Sequence, residues 1–221
     1  NTIAVIERAD MTPVQVPLSL PIDRPHGMKV SPTGEYAYTS SLSTNRIVAI
    51  DTETQDVESP VALPGSRQRY VQLDITADGQ TAFVTGQVAG QVQVLSLEPP
   101  ATPTLVDSID VGAEPWHPQL SDDGSTIYFG SKAANVVNAL DTNTLSTTTI
   151  EGNGLAQPHG SALSPDGRFL YISNNNRNGT FEPPSGEDVG SVVVIDTQSN
   201  DIETVIEVGE NPTGINTRWQ P

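Results

Sequence analysis

Residues 158–174 read Pro-His-Gly-Ser-Ala-Leu-Ser-Pro-Asp-Gly-Arg-Phe-Leu-Tyr-Ile-Ser-Asn. A short apolar run, an Asp-Gly turn and a run of aromatic and β-branched residues follow one another without a spacer. Asp-Gly between two such runs is a hairpin signal, because glycine takes the positive φ that a tight turn needs. The frame recurs without gaps at residues 25–34 (PHGMKVSPTG) and 115–124 (PWHPQLSDDG), and more loosely at 70–79 (YVQLDITADG). The turn glycines Gly34, Gly79, Gly124 and Gly167 lie 45, 45 and 43 residues apart. That is the period of a four-stranded propeller blade.

Each unit continues with the same grammar. After the turn comes an aromatic-rich strand, then a polar loop, then a third strand that ends in Asp51-Thr52, Asp141-Thr142 or Asp196-Thr197. The repeated Asp-Thr reads as a side-chain-stabilised turn rather than as catalytic carboxylates. The spacing predicts an all-β protein, a β-propeller of four-stranded antiparallel blades at about 26–63, 71–110, 117–151 and 160–208. Partial blades are expected at 1–20 and 212–221, with a first strand near 214–218. Two closures fit this count: an irregular five-bladed ring, or one part of a larger ring. The larger ring is preferred.

Composition agrees. Hydrophobic residues make up 35% and aromatics 5%, lean for one large core but sufficient for thin layers sealed by their neighbours. A formal net charge of −17 argues against binding to nucleic acid or to an anionic membrane surface. Cysteine is absent, which excludes disulfides, thiol catalysis and cysteine-ligated metal. No apolar run approaches membrane-spanning length. Residues 1–6 (NTIAVI) already read as strand and do not begin with Met, which leaves room for a removed export leader. A periplasmic or extracellular location is the expectation.

In residues 158–174 and in 191–197 (SVVVIDT) the chain resembles the YVTN-repeat propellers of bacterial secreted and cell-surface proteins. The second blade departs most, with Ala77 and Gly86 where that repeat has Pro and Asn. The resemblance implies the propeller fold and a ligand face at the mouth of the central channel, formed by the loops that lead into the innermost strands and those between strands two and three. Pro-His-Gly is a common variant of the family's strand-leading motif, so a histidine there also serves plain hydrogen bonding.

On that face, His26 and His159 hold the same repeat position, Trp116 holds it in the third blade with His117 beside it, and all three histidines therefore fall on one ring of the architecture. Imidazoles converging from several blades suit copper or another transition metal, so His26, His117 and His159 are candidate metal ligands. The fourth blade carries one long loop, 174–190, which contributes Arg177 and Phe181. Arg24, Arg46, Arg67, Arg69, Lys132 and Arg177 map to or beside this face, while many acids fall in turns of the opposite one. The candidate binding residues are His26, Trp116, His117, His159, Arg69, Arg177 and Phe181, for a protein partner or a small anionic ligand, with membership of a larger assembly as a further expectation. With no recognisable catalytic constellation, the favoured role is a non-catalytic binding or scaffold module. The alternative is a periplasmic copper-type oxidoreductase or its subunit, and a lactonase-like hydrolase stands third, by fold analogy alone.

Overall fold

The computed structural model describes residues 1–14 and 17–217. Among them there is no helix, only short antiparallel strands. An N-terminal pair, β1 (Thr2–Ile3) and β2 (Leu18–Ser19), precedes four four-stranded sheets. The first blade holds β3 (Pro25–Val30), β4 (Tyr36–Ser41), β5 (Arg46–Asp51) and β6 (Val61–Ala62). The second holds β7 (Tyr70–Ile75), β8 (Thr81–Gly86), β9 (Gln91–Ser96) and β10 (Thr104–Asp110). The third holds β11 (Pro115–Leu120), β12 (Thr126–Ser131), β13 (Val136–Asp141) and β14 (Thr147–Ile150). The fourth holds β15 (Pro158–Leu163), β16 (Phe169–Asn174), β17 (Gly190–Asp196) and β18 (Ile202–Val208).

Each sheet is a simple meander in strand order, and the first strands β3, β7, β11 and β15 lie side by side along the channel. Burial explains the composition of each position. Second strands such as β4 and β12 are covered on both faces and are almost wholly buried, hence their aromatic, β-branched and small residues and the absence of charge. The outermost strand β10 alternates exposed and half-buried residues, hence its polar sequence.

The core is a set of layers, one per blade interface. Tyr38, Ile47 and Ala49 of the first blade meet Leu73, Ile75 and Val84 of the second. Phe83 and Val92 of the second meet Ile127, Phe129 and Leu140 of the third. Val137 and Leu155 of the third meet Leu170, Ile172 and Val193 of the fourth. Leu18 and Ile3 cover Val48 and Ile50 of the first blade.

The repeated turn residues act as punctuation. Gly34, Gly79, Gly124 and Gly167 take φ of 78°, 74°, 72° and 70°. Asp51 Oδ1 accepts from the amides of Glu53 and Thr54 at 2.9 and 2.8 Å, and Asp141 Oδ1 from those of Asn143 and Thr144 at the same distances. The partner threonines reach across to the hairpin turn: Thr142 Oγ1 donates to Gly124 O at 2.7 Å and Thr197 Oγ1 to Gly167 O at 2.8 Å. The Asp-Thr pair is a corner brace.

One expected element differs. Residues 212–217 form no strand, and Arg218 lies outside the described residues. The segment nevertheless runs along β15, where Thr217 Oγ1 donates to Leu163 O. It has the place of an innermost strand, but no second strand lies beside it among the described residues to pair with.

Candidate functional site

The site is built at the start of each innermost strand. The residue before the strand adopts a left-handed backbone in every blade: Arg24 at φ 49°, Arg69 at 59°, Glu114 at 56° and Gln157 at 56°. Non-glycine residues hold such values only when the surroundings over-determine them. Here the carbonyls of these four residues accept from the loops between strands two and three: Leu42 N to Arg24 O at 3.1 Å, Gln87 N to Arg69 O at 3.2 Å, Lys132 N to Glu114 O at 3.1 Å and Asn175 N to Gln157 O at 3.2 Å. Both loop types therefore share one face.

Immediately after, each innermost strand bulges. The register shifts between His26 and Met28, Tyr70 and Leu73, Pro115 and Pro118, and Pro158 and Ser161. A bulge frees backbone groups and re-aims side chains, and His26, Trp116, His117 and His159 all sit at one. The glycine of Pro-His-Gly has a matching reason. A Cβ at Gly27 would strike the Gln72 side chain and the Val71 carbonyl, and one at Gly160 would approach Ser173 Oγ, Thr213 O and Ile215 N to 2.9–3.1 Å. Glycine lets the next layer come close, which puts the Val71 carbonyl within reach of His26 Nδ1–H at 2.6 Å.

The structure gathers the rings that the sequence places on one ring of the fold. His117 and His159 have centroids 4.9 Å apart, Trp116 and His159 4.8 Å, and His26 and His117 6.0 Å, across the whole second blade. Lys132 Nζ stands 4.6 Å from the Trp116 ring centroid. Burial, then the neighbouring His159, His26 and Lys132, push His117 down to about 3; burial and Lys132 push His159 down to about 4 against an opposing contribution from the Thr213 backbone. Both imidazoles are thus neutral at neutral pH. Trp116 Nε1, His117 Nε2 and His159 Nδ1 are buried and have no hydrogen-bond partner in the protein.

Among the described residues no group of three His, Asp or Glu side chains is disposed to hold a metal ion. The His26, His117 and His159 rings pack as an aromatic cluster, with Nδ1 of His26 committed to Val71 O. Phe181 is turned inward. It is 3% exposed and anchors the long loop: Asn176 Nδ2 donates to Phe181 O and Val189 O at 3.0 and 2.9 Å, while Asn176 Oδ1 accepts from Phe181 N at 3.0 Å. Arg177 is exposed at the start of that loop, close enough to Lys132 to bear on its charge. Arg69 is half-buried at the second blade's equivalent place, outside the ring cluster.

Several supporting residues were not singled out from sequence. In sequence Lys132 is one of six bases that map to or beside this face. Asn135 Oδ1 accepts from Gln157 N at 2.8 Å and from Asn178 Nδ2 at 3.1 Å, tying the third blade to both ligand-face loops of the fourth. Asn45 does the same for Gln68 at 2.9 Å; the signal is an Asn just before the third strand. At the far end of the channel Asp74 is buried, pairs with Lys29 Nζ at 2.6 Å and accepts from Leu120 N at 2.8 Å, joining three blades. Its signal was a charge inside an apolar innermost strand. A surface cavity of about 360 Å³ lies on this opposite face among Asp122, Asp123, Asp166, Arg168 and Thr197. Two of its carboxylates, Asp123 and Asp166, are committed to their own turns, and hydrogen bonds from Ser125 and Ser121 hold Asp123 down at about 2.

Comparison with known proteins agrees with the architecture. A family described as "Lactonase, 7-bladed beta-propeller" matches residues 21–180. Antigen Lp49 of Leptospira interrogans is 39% identical over 61 residues, 27% of this chain and 13% of its own. Hydrazine synthase of Kuenenia stuttgartiensis superposes with a TM-score of 0.73 at 22% identity, over 87% of this chain and 51% of that one. A streptogramin B lyase gives a TM-score of 0.75 at 15% identity, over 98% and 66%. The chain thus spans half to two thirds of these solved structures, and at such identities the likeness is one of fold. With the family match extending over well more than half of its residues, this chain belongs to the lactonase family of seven-bladed β-propellers.

Proposed function

We propose that the chain is a small-molecule-binding propeller module of the YVTN-repeat type, with its ligand held at the channel mouth by Trp116, His117 and His159, flanked by His26, Lys132 and Arg177. The observation that carries this is the group of three buried ring nitrogens without a protein partner. A buried polar atom left unsatisfied costs about 1–3 kcal/mol, and three of them together on side chains 4.8–6.2 Å apart are a concentration that a bound molecule would relieve. A Trp N–H donates only, and each neutral imidazole offers one donor and one acceptor. Lys132 and Arg177 have no carboxylate within ion-pair distance among the described residues, so the matching ligand has carbonyl or carboxylate oxygens and negative charge.

The experiment uses a Trp219→Phe variant, in which Trp116 is the remaining tryptophan. Titration with a panel of small acids, lactones and amides is expected to change Trp116 emission saturably, and His159→Leu to weaken that binding by about tenfold or more, the loss of one satisfied polar contact. No saturable change with any compound overturns the reading. Turnover of a lactone that is lost with His159 would replace binding by hydrolysis.

A further inference from the structure

We infer that Lys132 is a reactive amine that captures an aldehyde or ketone bearing a carboxylate at the channel mouth, as an imine; this rests on the ligand-site reading above. The sequence has two lysines, Lys29 and Lys132, and the fold treats them oppositely. Lys29 Nζ is held 2.6 Å from the buried Asp74 carboxylate. Lys132 has no carboxylate within 4.0 Å among the described residues. Its Nζ is half-buried over the Trp116 ring, and its own amide is fixed to Glu114 O at 3.1 Å.

The surroundings free the amine. Burial pushes the Lys132 pKa below the ordinary 10.5; Glu114 pulls it back and Arg177 pushes it further down, and the net direction is downward. The Trp116 face favours the ammonium form and works against this. Desolvation with a second cation nearby is how proteins activate lysine as a nucleophile. Beside it, His117 and His159 are neutral and each keeps a buried ring nitrogen without a protein partner, so neither adds a competing positive charge.

The chemistry balances without a further reagent. The Nζ lone pair attacks the carbonyl carbon, a C–N bond forms, the C=O π electrons go to oxygen, and one N–H proton passes from nitrogen to that oxygen through solvent. The nitrogen lone pair of the carbinolamine then forms the C=N bond as the C–O bond breaks, the hydroxyl leaving as water with the second N–H proton. Amine and carbonyl become imine and water. The carboxylate of the ligand is met by Arg177, which sits beside Asn178, and Asn178 Nδ2 is pinned to Asn135 Oδ1 at 3.1 Å on the Lys132 loop.

The test is reductive trapping of the whole chain with glyoxylate and cyanoborohydride at pH 7, with carboxymethylation mapped to Lys29, Lys132 and the N-terminal amine. Lys132 is expected to be labelled at least about tenfold faster in the folded protein than in the same chain unfolded in urea, and faster than Lys29 in the fold. Lys132→Met should show only the slow background at the other two amines. Labelling of Lys132 no faster folded than unfolded overturns the inference. Glycolate, which lacks the carbonyl, separates the two claims in the Trp219→Phe variant: saturable quenching by glycolate without accelerated labelling keeps the ligand site and removes the imine. Absence of both signals removes the imine and returns the ligand question to the wider panel.

Discussion

The most consequential residues are the two histidines held neutral, because their cost depends on pH. His117 and His159 titrate near 6.5 in an unfolded chain and at about 3 and about 4 in the fold. Between those values the unfolded state binds more protons than the native state, so stability rises with pH there. The contribution is fully present above about pH 6.5 and is lost as pH falls towards 4. Solvent screening of partly exposed rings reduces the ideal figure, and a combined loss on the order of 1–3 kcal/mol is expected. The turn aspartates do not confuse the measurement. Those with depressed pKa values, Asp51, Asp141 and Asp196 among them, protonate only below the ordinary carboxylate range. Urea midpoints should therefore fall between pH 6.5 and 4.5 in the native sequence and stay nearly level in His117→Gln/His159→Gln. An equal slope in both proteins would show that the imidazoles are not buried neutral.

At the scale of elements the long loop of the fourth blade matters most. Its length, 174–190, was legible as a departure from the repeat, but its order was not. Loop sequences rich in Asn, Gly and Pro give no periodic signal, and the packing that fixes this one depends on a single aromatic, Phe181, turned inward, and on both ends of the Asn176 amide. Asn176→Ala removes three hydrogen bonds, about 1 kcal/mol each, without touching the blade cores. Trypsin should then cut after Arg177 in the folded variant at a rate at least about tenfold above the native chain, while the melting temperature moves little. Resistance equal to that of the native loop would mean that Phe181 alone holds it. Strands and turns were legible for the opposite reason. Their signals are local: the hairpin glycine at φ near 70° and the Asp-Thr brace each depend on neighbours within one hairpin corner. The meeting of His26 with His117 across an intervening blade is a property of ring curvature and of the packing of β3 and β11 on either side of β7. Spacing along the chain carries neither.

Over the whole molecule the charge is divided by the fold. The innermost strands are six residues long, so the lead-in loops and the hairpin turns stand about 20 Å apart. Lys132 and Arg177 lie at the lead-in end, and Asp51, Asp78, Asp123, Asp141, Asp166 and Asp196 lie in the turns at the other. These carboxylates accept hydrogen bonds from their own turns and stay charged well into mild acid. A net charge of −17 with two ion pairs among the described residues leaves mutual repulsion as the main long-range electrostatic influence on the compact state. Salt acts on the two sides unequally. Screening weakens the Arg168–Asp196 contact, of little weight, and acts less on the Lys29–Asp74 pair, whose carboxylate is buried, but it reduces repulsion over the whole acidic rim, since the Debye length falls from about 20–30 Å near 0.01–0.02 M to about 4–5 Å near 0.5 M. Sodium chloride raised over that range should stabilise the fold by about 1–2 kcal/mol and lift the melting temperature by roughly 2–8 °C. Binding of an anionic ligand beside Lys132 should weaken over the same range, because that interaction is attractive and screened alike. Opposite responses of stability and affinity to one salt titration are the signature of an acidic ring with a basic mouth. A melting temperature that is flat or falls with salt would place the repulsion elsewhere than in these turns.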